Sequence, residues 1–525
     1  MLKEIEDQIE REAEKRSGKA KKRVARYKKY QLLCKKRTGE DWDEWKGRGQ
    51  ISSDKQFDPL YCRNNAKFLA RGIYESLRKK AYRPRQVVRL VKEKPDGGRR
   101  YIDIFSIPDA AVSKVIFKRL RKRNEKVFSD SSFAYSSDKS QLDAVFRLKS
   151  ILDLDKVFVA KYDFSNYFSS IKHDILAAVL EEEKFFITEL EKAFILSLVK
   201  YEYRCSEDDE VLKNEQGIPQ GNSISSFLAN MFADSLDSDL RKLRGEFVRY
   251  ADDSIVVNDS YRDSIKCYCA YKKFSRDKSI EINYRKFSGI RLYASNPHEA
   301  KVMEMEGIEK IDFLGYSIKN GILDISAAAV NRMKRKCFKI IYNNMIFFPK
   351  KKGKVCQNRT GNGFVDWELI TCVNELRRSI YGGYSEKEIR DFVRGKRNIN
   401  KFYNSISYFC LSEREETVKA LDGWLVSTIC KLYDERVKLL ESYGIHQQTI
   451  DRQHLISGKW YDHEKISFET KKQDARLPSF YLAWKAAQRS WKLRGMYGVR
   501  SSYGYDYNAT EDGMRMLESI SGTKK

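Results

Sequence analysis

The sequence is poor in the features that mark a metal-scaffolded or exported protein. Its ten cysteines include no Cys-x-x-Cys pair, Cys267 and Cys269 stand too close for a zinc knuckle, and the five histidines show no ligand spacing. That excludes a zinc-built fold and points to reduced thiols in a cytosol. No stretch is apolar enough to span a bilayer and the N-terminus has no leader pattern, so no membrane association is expected. No periodic repeat appears, which speaks against a repeat architecture. Acids are in deficit: 74 Asp and Glu face 101 Lys and Arg, a net charge of +27. An excess of that sign and size calls for a polyanionic partner, most simply RNA or DNA.

What is abundant is cationic charge and aromatic area. Aromatics are 13% of the 525 residues, with 31 Tyr. Most of them would fill cores, but rings among cations also stack bases and grip single strands. Residues 1–60 read as a polar, helical, basic extension. Between Arg11 and Arg37 there are 13 Lys or Arg against two acids, Glu12 and Glu14, a density that favours RNA contact over a merely solvated face. From about 326 the pattern is helical. Basic and apolar residues alternate from Asn331 to Phe348, and Pro349-Lys350-Lys351-Lys352-Gly353-Lys354 is expected to break that helix into a basic loop. Leu421, Trp424, Leu425, Ile429 and Leu432 form an amphipathic stripe, more often core than interface. In the tail, Tyr497, Tyr503, Tyr505 and Tyr507 are spaced by Gly and Ser, a composition expected to be disordered.

The chemistry is concentrated in three places. Phe247-Val248-Arg249-Tyr250-Ala251-Asp252-Asp253-Ser254-Ile255-Val256-Val257 reads as a tight β-hairpin with buried arms and acids at its tip. Adjacent carboxylates there repel one another and lose hydration, and a divalent cation relieves both costs. Eighty-nine residues upstream of Asp252, Val157-Phe158-Val159-Ala160-Lys161-Tyr162-Asp163-Phe164 reads as a buried strand ending in an acid. Strand-terminal acids of mixed α/β sheets sit where ligands bind. Three carboxylates from two strands would hold two Mg²⁺ ions for an in-line phosphoryl displacement. Between them, Gly217-Ile218-Pro219-Gln220-Gly221-Asn222-Ser223-Ile224-Ser225 makes a close-approach loop that opens a helix near Ser223, with Ile224, Phe227, Leu228 and Met231 on its apolar face. Taken singly, each has a bland reading: a solvated turn, a strand end, a helix N-terminus.

In that order and spacing the chain resembles a reverse transcriptase of the bacterial branch that includes group II intron, retron and phage-defence enzymes. Further matches run from about Tyr82 to Ile318. Lys94-Pro95-Asp96-Gly97-Gly98-Arg99-Arg100-Tyr101-Ile102 resembles the fingers hairpin, and Ile107-Pro108-Asp109 the helix entry after it. Ser132-Phe133-Ala134-Tyr135 resembles the segment before the first catalytic strand, Ile280 to Lys286 the palm motif that ends in lysine, and Phe313-Leu314-Gly315-Tyr316 the primer grip. Two departures stand out: Ser136 where arginine is common, and Ser226 where proline commonly follows Ser225. They point to a specialised member.

The resemblance implies an α+β right-hand polymerase with an α-helical C-terminal extension. After the extension 1–60 would come fingers at 61–155, palm at 156–325, and at 326–525 an α-helical thumb with an RNA-binding or oligomerisation domain. Asp163, Asp252 and Asp253 would be the metal carboxylates, Asp163 and Asp252 the more direct, and the Phe164 carbonyl would complete one Mg²⁺ shell. Lys94 and Arg100, or Arg99 in its place, would neutralise the triphosphate. Gln220 and Gly221 would lie against the templating base pair. Phe168 would screen the sugar 2′ position, against the alternative of plain core packing, and Lys286 would protonate the leaving pyrophosphate, against that of a solvated lysine.

The implied activity is RNA-directed DNA synthesis on a dedicated structured non-coding RNA, from deoxynucleoside triphosphates, in antiphage defence in a bacterial cytoplasm. Homo-oligomers would form through the C-terminal helices. No His-Asn-His nuclease segment is recognisable, which disfavours a mobile element. The alternatives are a retron or group II intron-type enzyme, an RNA-templated RNA polymerase, and a non-catalytic RNA-binding scaffold on the same fold. Protein-primed relatives make a tail tyrosine a candidate primer.

Overall fold

The computed structural model describes residues 1–42, 52–93, 99–136, 138–152, 156–205, 209–294, 305, 307–360, 366–447, 449–460 and 475–502. The chain forms two compact units. One comprises Met1–Ala25 with Lys46–Ile308, the other Arg26–Trp45 with Glu309–Lys525. The basic N-terminal helix, Leu2–Thr38, contributes to both.

The first unit holds two sheets. The strands in chain order are β1 (Val87–Glu93), β2 (Arg99–Ile104), β3 (Lys156–Tyr162), β4 (Glu202–Arg204), β5 (Leu212–Lys213), β6 (Glu246–Tyr250), β7 (Asp253–Asn258), β8 (Ile290–Ala294) and β9 (Gly307–Ile308). Their order is β2-β1-β4-β5 in one sheet and β6-β7-β3-β8-β9 in the other. The β6–β7 hairpin forms because two apolar runs flank a two-residue turn: Phe247, Val248, Ile255, Val256 and Val257 are all buried. The helix Tyr261–Lys278 packs on β3 and β7. Its Tyr271 ring lies parallel to Tyr162 with centroids 3.6 Å apart, and its hydroxyl meets Ser254 Oγ at 2.7 Å. These aromatics form a floor directly beneath the end of β3. The helix expected near Ser223 begins at Ser225, and Ile224, Phe227, Leu228 and Met231 are buried as its spacing predicts.

The second unit contains the antiparallel sheet β10 (Lys310–Phe313), β11 (Tyr316–Lys319) and β12 (Ile322–Ile325). Leu314 and Gly315 make the first turn, with φ of 48° and 86°. The helix expected to break at Pro349 does not. Ala327–Tyr342 passes through a π-helical turn, Asn343–Phe347, into the helix Phe348–Lys352. Pro349 sits in the first turn of that last segment, where its missing N–H is no loss. The chain turns at Gly353 instead, at φ 65°. The widened turn is held by side chains: Arg37 Nη1 donates to the Asn343 carbonyl at 3.1 Å and Arg436 Nη1 to that of Met345 at 2.6 Å. Arg436 is itself buried and bidentate to buried Asp366, at 2.5 and 3.1 Å. On the helix Glu415–Glu441 the stripe Leu421, Leu425, Ile429 and Leu432 is buried core, while Trp424 is half-buried under Lys334, 5.6 Å from its ring.

Candidate active site

The β3–β7 register pairs Tyr162 with Ser254, so one step further along the ladder Asp163 lies opposite Asp253. On the other arm Tyr250 pairs with Asp253, leaving Ala251 and Asp252 as the turn. Ala251 adopts φ 60°, a strained conformation for a residue with a Cβ. The strain is held from behind. Arg249 Nη1 donates to the Ala251 carbonyl at 3.0 Å, and the same guanidinium is buried against Asp237, Ser132 Oγ and Asn230 Oδ1. Asp163, Asp252 and Asp253 thus meet at one end of the central sheet.

Asp163 is fixed by a strip of chain that follows the helix Tyr261–Lys278. Ser165 N donates to the Glu281 carbonyl at 2.9 Å, and Asn283 N to that of Asp163 at 2.8 Å. These bonds flank the Phe164–Ile282 pair, so the Phe164 carbonyl is directed to the opposite side of the strand, that of β7. The Asp163 carboxylate accepts from Asn283 Nδ2 at 2.9 Å and pairs with Lys286 Nζ at 2.9 Å. Burial works against the Lys286 ammonium, but the Asp163 bond and charge outweigh it and its pKa rises.

Electrostatics mark the turn as costly. Burial, then the negative charge of Asp163, push Asp252 up to about 6. Burial also raises Asp253, against the opposing pull of Lys161. Asp253 Oδ1 is buried without a hydrogen bond of good geometry, its counter-charge Lys161 Nζ standing 3.4 Å away.

The Pro219-Gln220-Gly221 loop is laced to β2. Asp103 N donates to the Gln220 carbonyl at 2.9 Å and Gln220 N to Asp103 Oδ2 at 3.3 Å. Asp103 is held in turn by Arg89 Nε at 2.8 Å and the Tyr201 hydroxyl at 2.7 Å. At Gly221, φ 112°, a Cβ would stand 3.2 Å from the Asp103 carbonyl oxygen. Of the two neighbouring arginines, Arg100 meets the loop, its Nε 3.2 Å from Gln220 Oε1, while Arg99 lies on the alternate face of β2. Lys94 lies outside the described residues, as do Tyr503, Tyr505 and Tyr507. Tyr497 is 79% exposed.

Phe168 sits half-buried on the short helix Tyr167–Ser170, its carbonyl accepting from Ile218 N at 2.8 Å. The neighbouring Gly217, at φ 89°, is pressed so closely that a Cβ would stand 2.9 Å from Ser169 Cα. Gly217→Ala is expected to cost about 1–3 kcal/mol, read as a lower urea midpoint. An unchanged midpoint would show that the loop is free to move off Ser169.

Sequence reasoning missed five participants: Asn283, Lys161, Asp103 and the pair Arg249 and Asp237. Arg249 and Lys161 left a visible signal, each a charge inside an otherwise apolar strand.

Residues 92–318 match the family described as reverse transcriptase (RNA-dependent DNA polymerase). These residues are a reverse transcriptase domain. The fold is that of a right-hand polymerase, α+β, with a helical C-terminal region. The chain is similar to a curated protein of Schizosaccharomyces pombe, an uncharacterized 91 kDa protein in a cob intron, 29% identical over 183 residues, 33% of this chain and 21% of that protein. The chain thus spans about a fifth of that relative's length. Among solved structures, apo telomerase from Candida tropicalis, truncated from its C-terminal domain, is 15% identical with a TM-score of 0.35 over 46% of this chain and 56% of that one. Telomerase from Candida albicans, in complex with a fragment of telomeric RNA, is 14% identical with a TM-score of 0.36 over 72% and 68%.

The acids have the chemistry of a divalent-cation site. They are hard oxygens from two segments, one carboxylate is pushed up to about 6 by burial and then by the charge of Asp163, and one buried oxygen is poorly satisfied. Among the described residues no group of three His, Cys, Asp or Glu is placed to hold a metal ion, and the Asp163 carboxylate is engaged by Lys286 and Asn283. The fit lies in the donors and their charge, not in a finished coordination shell.

Proposed function

We propose that the chain is an RNA-directed DNA polymerase that copies a dedicated structured RNA. The observation that carries this reading is the convergence of Asp163 with Asp252 and Asp253 at one sheet end of the reverse transcriptase domain. Asp163, Asp252, Asp253 and the Phe164 carbonyl would hold two Mg²⁺ ions, which supply activation of the primer 3′-hydroxyl and stabilisation of the leaving pyrophosphate. The remaining residues position and neutralise. Arg100 presents its charge beside Gln220, where the triphosphate and the templating pair would lie. Lys286, with its raised pKa, keeps a proton at Nζ for the pyrophosphate. Little covalent chemistry is asked of the protein itself.

Phe168 would exclude a 2′-hydroxyl. Phe168→Ala is expected to raise ribonucleotide over deoxynucleotide incorporation by roughly ten- to a hundredfold, measured as the ratio of kcat/KM values. An unchanged ratio assigns Phe168 to packing alone.

The charge of +27 supports a structured RNA as partner. The motif resemblance supports antiphage defence in a bacterial cytoplasm as the setting, by analogy. Incubating the purified protein and its co-purifying RNA with labelled dNTPs and Mg²⁺, then sequencing both RNA and product, tests the whole reading. A group II intron or retron RNA would favour the neighbouring branch. No incorporation on any primed RNA would leave a non-catalytic scaffold.

A further inference from the structure

The second unit carries a surface that the polymerase reading does not use. Two segments distant in sequence meet there. Residues 394–403 hold Arg394, Lys396, Arg397 and Lys401, residues 491–502 hold Lys492, Arg494 and Arg500, and neither contains an acid. Their mutual placement is built, not incidental. Phe402 N donates to the Gly498 carbonyl at 2.8 Å, Ser490 Oγ to the same oxygen at 2.6 Å, and Arg494 Nη2 to Asn398 Oδ1 at 3.4 Å. At Gly498 a Cβ would stand 2.5 Å from the Ser490 carbonyl, so the chain after the helix Phe480–Arg494 folds back on that helix to a distance only glycine allows. Phe402 and Val499 are buried beneath, which makes the surface a rigid platform.

Two tyrosines stand on this platform with their rings in solvent: Tyr403 is 53% exposed and Tyr497 is 79% exposed. Lys401 and Arg500 lie 5.0 and 5.8 Å from the Tyr403 ring centre. Part of the charge has a bland explanation. Arg394, Lys396, Lys492 and Arg494 sit at or just past helix C-termini, where cations offset the helix dipole, and Arg397 pairs with Glu388 at 2.8 Å. Lys401 and Arg500 have no helix end to serve; they flank the Tyr403 ring, and the Tyr497 ring is left largely open to water. Exposed rings set among cations on a rigid surface match one chemistry closely: a backbone of phosphates neutralised between bases that stack.

We propose that this platform binds single-stranded polynucleotide, with Tyr403 and Tyr497 stacking bases and the surrounding Lys and Arg neutralising phosphates. Unlike a duplex, a single strand can present its base faces, so binding here favours strands over duplexes. The site would engage an unpaired stretch of a bound RNA or the nascent DNA.

The test uses the full chain without nucleotide, so its outcome is independent of whether the protein polymerises. Fluorescence anisotropy is read with labelled 20-mers of oligo(rU), oligo(dT) and a blunt duplex. Tyr403→Ala/Tyr497→Ala is expected to weaken strand binding at least about tenfold and to spare the duplex. Lys396→Ala/Lys401→Ala is expected to make the salt dependence of log K shallower by about 1.4. A loss on oligo(rU) alone assigns the platform to RNA, a loss on oligo(dT) alone to the DNA product. Strand affinity within twofold of the unaltered protein in both variants, or an equal loss on the duplex, overturns the proposal. All four side chains are exposed, so melting temperatures should not change.

Discussion

Replacing Asp252 and Asp253 together by alanine is expected to lower nucleotide incorporation by at least about a thousandfold, while in metal-free buffer the melting temperature stays the same or rises. The two halves of that result have one cause. Asp252 is held near pKa 6 by burial and by Asp163, which means the folded chain resists its ionisation at neutral pH. Asp253 is pushed the same way. Carboxylates that repel and are poorly hydrated weaken the fold when no cation joins them, so their removal relieves the apo protein. Chemistry that needs those charges is lost. Binding of the proposed RNA should persist, since its phosphates would meet Lys and Arg elsewhere. Synthesis surviving the double substitution would sink the assignment of the acids. A melting temperature that falls by several degrees would show that they have a structural duty as well.

The second large effect lies two residues before the turn. Arg249→Met is expected to destabilise the protein by about 3–5 kcal/mol, because it leaves Asp237 buried and unpaired. Asp237→Leu should cost a similar amount by stranding the guanidinium. The double variant Asp237→Leu/Arg249→Met should recover much of the loss, as replacing both members of a buried pair by apolar groups often does. Urea denaturation of the four proteins closes the cycle. The recovered variant should still be a poor polymerase. Its turn has lost the bond to the Ala251 carbonyl that keeps φ at 60°. Full activity in that variant would mean that the turn holds its shape unaided.

Much of the site was legible because its chemistry is local. An apolar run with two acids in the middle has few ways to fold, and the β6–β7 hairpin is the obvious one. The glycines at 217 and 221 announced a close approach, although not what they approach. What could not be read was pairing between distant segments. Nothing in the residues around 103 says that an acid in β2 will hold the Gln220 amide, and nothing around 283 says that an asparagine will reach Asp163. Those contacts are set by sheet order, which local pattern does not encode. The contact of Arg100 with Gln220 was hidden for the same reason. The unbroken passage through Pro349 was misjudged because a proline in a first helical turn and one in a helix interior look alike until the π-helical turn before it is known.

The helix Ser225–Arg241 links both sides of the candidate site. It starts four residues after Gly221, and farther along its length Asn230 and Asp237 grip the arginine that fixes the acid turn. The span between the loop and the acid turn is therefore that of one stiff rod. On the proposed reading, in which the loop lies against the templating pair, a pair of the wrong width would shift the loop and, through this helix, the carboxylates with it.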